Sequence, residues 1–186
     1  KGRKYIYREW PDRKTYGEWA IPGEKPDGTI GPAQNIGGGR GVGEVKGIIV
    51  EAEAKEKIEE RYIDPRAGAT QAAGRDGGTS IIDLLAEEEN AMHFLQAAGI
   101  SIANGLTIVN DWLNYDQNEP ISVLNEPSLF VSSECGNLIY SLQEWTNRDG
   151  EKGATKDPID TLRYLAVMEP IHVTSSTFAA SDVRGY

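Results

Sequence analysis

The stretch Arg61-Tyr62-Ile63-Asp64-Pro65 decides the fold. Residues suited to extended backbone run into an Asp-Pro pair, so the segment reads as a short strand stopped at Pro65. Downstream, Ser80-Ile-Ile-Asp83 has the form of a capping box and opens a helix through about residue 90. Residues 91–97 are apolar enough for another strand, closed by Gly99. Strand, helix and strand in succession are the alternation of an α/β fold with at least part of its sheet parallel.

Outward from that unit the alternation continues. Lys4-Tyr-Ile-Tyr-Arg-Glu-Trp10 alternates like a half-buried strand and ends at Pro11-Asp12. Residues 17–47 hold thirteen Gly or Pro among 31 and read as a mobile loop or lid. A helix is expected from residue 41 to about 58, supported by Glu51 with Lys55 and Glu53 with Lys57, each four apart. Another is expected over 102–115, with Ile102, Leu106, Val109 and Leu113 inward. A strand is expected over 128–132, and a helix over 137–146 with Leu138, Ile139, Leu142 and Trp145 inward. Asp157-Pro158 starts a last helix to about residue 168, and residues 171–186 read as a tail. One domain over residues 1–170 follows.

The chain has 186 residues, 19 basic and 29 acidic, for a net charge of −10. That length can bury a real core. The charge opposes nucleic acid, so any DNA chemistry needs local basic residues or bound cations. No apolar run approaches the roughly 20 residues that span a bilayer. The single Cys135 rules out an internal disulfide framework and suits a reducing compartment. With only His93 and His172 beside it, the chain cannot furnish the ligands of most structural zinc sites. The opening Lys-Gly-Arg-Lys, with no initiator Met, reads as the start of a piece cut from a longer polypeptide.

Asp64 stands at the carboxyl end of a strand, where open α/β sheets collect ligands. The same Asp-Pro pair also suits a plain turn in which the carboxylate accepts a nearby amide. Asp157 and Asp160 likewise suit a helix start, where acids favour the positive end of the dipole. Two carboxylates about 4 Å apart repel by about 4 kcal/mol at an effective dielectric of 20. Convergence of Asp64 and Asp160 would therefore require a proton or a cation, and carboxylates without His or Cys favour Mg²⁺ or Mn²⁺. Arg66, Arg75, Arg13 and Lys14 could meet phosphates or be solvated surface charges. Gly37-Gly-Gly-Arg-Gly-Val-Gly-Glu-Val-Lys46 never completes a P-loop and reads as a hinge. His93 and Cys135 read as core residues, and residues 87–89 as a solvated helix end.

Arg61-Tyr-Ile-Asp-Pro-Arg-Ala67, Ser132-Ser-Glu-Cys-Gly-Asn-Leu-Ile139 and Lys156-Asp-Pro-Ile-Asp-Thr-Leu-Arg-Tyr-Leu165 occur in this order. Together they resemble the C-terminal nuclease domain of tailed-bacteriophage large terminase subunits, and Tyr5–Trp10 resembles an early strand of it. The resemblance implies an RNase H-like mixed sheet flanked by helices, and an endonuclease cutting concatemeric double-stranded phage DNA. It implies two Mg²⁺ or Mn²⁺ ions held by Asp64 and Asp160, with Asp157 nearby. The family's first acid lies on a first strand that is missing before Lys4. Implied partners are the terminase ATPase domain, the small terminase subunit and the portal ring, in the host cytoplasm at the procapsid. Two other readings stand beside this one: a resolvase- or transposase-like nuclease of the same fold, and a non-catalytic module that docks DNA or the portal.

Overall fold

The computed structural model describes residues 2–10, 41–54, 56–71, 78–87, 89–97, 101–146 and 156–170. Among them are four short strands and six helices: β1 (Lys4–Ile6), α1 (Val42–Glu53), β2 (Tyr62–Ile63), α2 (Pro65–Ala69), α3 (Ile81–Leu85), β3 (Leu95–Gln96), α4 (Ile102–Leu113), β4 (Leu129–Val131), α5 (Gly136–Glu144) and α6 (Lys156–Met168). The α/β alternation is as expected. The described strands form two separate parallel pairs, β1 with β4 and β2 with β3, rather than one mixed sheet.

The unit around Asp64 folds as its residues direct. Pro65 cannot donate to a ladder but suits the first turn of a helix, so β2 stops and α2 begins there. Ser80 caps α3 in a full capping box with Asp83, the local signal that opens this helix. The helix ends at Leu85, short of residue 90, and Met92 donates its amide to the Leu85 carbonyl as the chain turns toward β3. Gly68 lets α2 approach α3, because a Cβ there would lie 2.6 Å from Ile82 Cδ1.

The main core lies elsewhere, where α4, α5 and α6 meet β4. Val109, Trp112, Leu129, Cys135, Leu138, Leu162 and Ala166 form one buried cluster. At about 1.5–3 kcal/mol per large buried aliphatic side chain, this cluster outweighs any single polar contact described below. Helix α4 turns Gly105, Val109 and Trp112 inward. Ile102, expected inside, is half-exposed, since the inward row runs through 105, 109 and 112 instead.

Other expectations are corrected. The helix expected from residue 41 does start there, as α1, with Gly41 as its N-cap and Glu44 in its first turn, so the loop and hinge readings that overlapped it over residues 41–47 are the ones corrected. The helix stops at Glu53, so Lys57 is no longer one turn from it. Glu53 instead takes the Arg61 guanidinium on both oxygens, with Nη2 at 2.5 Å, and Lys57 pairs with Glu59. Lys55 lies outside the described residues, as do residues 17–40 and the tail. His93, read as a core residue, is exposed, and its neighbour Met92 takes the buried place in this segment. Cys135 is fully buried, with its thiol pushed up by burial and by Glu9 and Glu134.

Candidate active site

Asp64 is the N-cap of α2. Its Oδ1 accepts the amides of Arg66 at 2.8 Å and Ala67 at 2.9 Å, which is the turn reading in full. Its Oδ2 does something the local sequence does not dictate: it accepts the hydroxyl of Tyr164, one hundred residues away on α6. Burial alone would raise this carboxyl. The Tyr164 hydroxyl, the amides of Ala67 and Arg66 and the Arg66 charge outweigh that, leaving Asp64 below its ordinary value. Burial and the adjacent carboxylate push the Tyr164 phenol up, so at neutral pH it remains the donor.

Asp160 sits one turn before Tyr164 on the same helix face, with Cβ atoms about 5–6 Å apart in such a pair. Its Oδ2 takes the Lys156 ammonium and its Oδ1 the Arg163 guanidinium at 3.3 Å. Arg163 is itself buried, at 6 % exposure. Its guanidinium lies 4.4 Å from the Tyr164 ring centroid, and its stem packs where a Cβ on Gly105 would come within 2.3 Å. A continuous polar chain thus runs from Lys156 through Asp160, Arg163 and Tyr164 to Asp64. The carboxyl end of β2 and the acid-bearing helix do meet. The residue of α6 that meets Asp64 is Tyr164.

Asp157 is exposed in the first turn of α6, not at its N-cap, because the helix begins at Lys156. Pro158 is tolerated there, since first-turn amides have no intrahelical partner. Partial desolvation raises the Asp157 carboxyl, Asp160 adds to this, and Lys156 opposes it. Arg66 is exposed on α2 beside Asp64. Arg75, Arg13 and Lys14 lie outside the described residues.

Among the described residues no three His, Cys, Asp or Glu side chains converge as a metal cage. The donor chemistry of Asp64 nonetheless fits one contact to a hard cation. A carboxylate offers about four acceptor positions, and three are filled, leaving one on Oδ2. At Asp160 a cation would share Oδ2 with Lys156. Sequence reasoning missed Tyr164, although its place one turn after Asp160 could have flagged it. It also missed Glu9, which caps α5 by accepting the amides of Asn137 at 2.8 Å and Leu138 at 3.0 Å, a tertiary contact with no local signal.

No family model, curated protein or solved structure matches this chain. No helix among the described residues is long and apolar enough to cross a membrane.

Proposed function

We propose that this chain is a metal-dependent endonuclease domain of the RNase H-like type, similar to that of phage large terminases and acting on double-stranded DNA during genome packaging. The observation that supports it most is the Tyr164–Asp64 hydrogen bond, which joins the acid-ended strand to the helix carrying Asp160. In this reading Asp64 holds a divalent cation through Oδ2, and Asp160 serves the same centre once Lys156 yields its oxygen. Mg²⁺ or Mn²⁺, two ions in the family it resembles, would supply charge stabilisation for the attacking and leaving oxygens of a phosphodiester. Arg66 faces the phosphate backbone from α2. Docking at the portal, with the ATPase domain and small subunit as partners, belongs to the same proposal.

Supercoiled plasmid with Mn²⁺ tests it. Preceded by a strand that carries the family's first acid, the chain should nick and linearise the plasmid, and Asp64→Asn should lower the rate by at least about a hundredfold, as expected for a group acting on transition-state charge. Undiminished cleavage by Asp64→Asn overturns the assignment.

One observation favours a second reading, the non-catalytic docking module. Both acids already have structural work: Asp64 caps α2, and Asp160 neutralises the buried Arg163. Duplex binding by the folded wild-type chain with no Mn²⁺ held beside Asp64 and Asp160 would select this alternative.

A further inference from the structure

We infer that Tyr164 is a positioning residue for the Asp64 carboxylate, its hydroxyl determining which oxygen position stays open to a divalent cation. The inference rests on the nuclease reading of Asp64 and deepens it.

The two amides of α2 saturate Oδ1, since each fills one of its two acceptor positions. They hold that oxygen but leave Oδ2 anchored only through its own carboxyl group. The Tyr164 hydroxyl takes one position of Oδ2 and comes from a different element, so it ties the plane of the carboxylate to α6. One acceptor position then remains, and a cation can be held there through a single oxygen. A two-oxygen grip would require Oδ1 to release an amide of the helix it caps.

The tether is itself held firmly. Arg163 stacks on the Tyr164 ring, Asp160 holds Arg163, and Gly105 of α4 gives the Arg163 stem its space. Hydrogen-bond partners that orient a metal-binding side chain are typically worth ten- to a hundredfold in metal affinity. Tyr164→Phe removes one oxygen and keeps the ring, so it isolates this effect from packing.

The test is calorimetric titration of the full chain with Mn²⁺, comparing wild type with Tyr164→Phe at one pH. A second readout is the Mn²⁺ dependence of plasmid cleavage. Tyr164→Phe should bind Mn²⁺ about tenfold more weakly. It should need correspondingly more Mn²⁺ for half-maximal cleavage, while its rate at saturating Mn²⁺ stays within about twofold of wild type. A merely structural role would lower the saturating rate and leave the half-saturation point in place. Equal Mn²⁺ affinity in Tyr164→Phe overturns the inference and leaves the nuclease reading standing. Tighter binding also overturns it, because the hydroxyl would then occupy the cation's own place. No Mn²⁺ binding by the folded wild type overturns both.

Discussion

Asp160 shows why a missing activity in a single variant can mislead. Its carboxylate is the counter-charge of Arg163, whose side chain is 7 % exposed against 21 % for Asp160. Removing one partner of a buried pair leaves the other charge desolvated, which costs about 3 kcal/mol. Asp160→Ala should therefore lower stability by about that amount in a urea titration, whatever its effect on catalysis. A loss below about 0.5 kcal/mol would show that Arg163 finds another partner. Asp157 differs in sign. Its carboxyl is raised, so its charged form is disfavoured in the folded chain, and the penalty is present at neutral pH and relieved as pH falls through the folded value. Asp157→Asn should leave stability at pH 7 unchanged or higher, the difference shrinking in acid. Asp64 is depressed, so its contribution is present above the ordinary carboxylate range and is lost as pH falls through the folded value. Thermal melts of wild type and Asp64→Asn between pH 7 and pH 3 should converge toward the acid end.

At the scale of elements, α4 and α6 pack closely because position 105 is Gly. A Cβ there would sit 2.3 Å from Arg163 Cγ and 2.9 Å from Cδ, inside a contact that holds the whole polar chain. Gly105→Ala would favour the isolated helix by about 1 kcal/mol, yet overpacking costs typically 1–3 kcal/mol and displaces Arg163. Net destabilisation is the expected outcome in a thermal melt, and a raised midpoint would contradict this packing. The elements themselves were largely legible in the sequence, because capping boxes, Asp-Pro stops and helical apolar spacing are local signals. Ser80 with Asp83 is the clearest case. What could not be read is tertiary. Glu53 chooses Arg61 over Lys57, and Ile102 yields the inward row to Gly105 and Trp112. Likewise Asp64 was legible as a strand-end acid, but its partner Tyr164 is set by how α6 docks.

Across the whole molecule the charge is divided. Residues 76–147 contain no Lys or Arg, so every basic residue lies in the flanking segments. The region running through α3, β3, α4, β4 and α5 is thus uniformly acidic and repels a phosphate backbone. If the proposed nuclease reading holds, the exposed Arg66 of α2, next to Asp64, is the basic side chain placed to meet a phosphate at that acid. Arg66→Ala should weaken binding to any duplex sequence and reduce the log–log salt slope by about 1, as for loss of one phosphate contact. An unchanged slope would remove Arg66 from the interface.

The central claim is that Asp64 holds the cation of a DNA-cleaving site. Anomalous diffraction from a crystal of the chain grown with Mn²⁺ and a short duplex tests it most directly. The account predicts an Mn²⁺ peak about 2.1 Å from Asp64 Oδ2, with Oδ1 still on the amides of Arg66 and Ala67. A crystal that shows the duplex bound and no Mn²⁺ peak at Asp64 would contradict it.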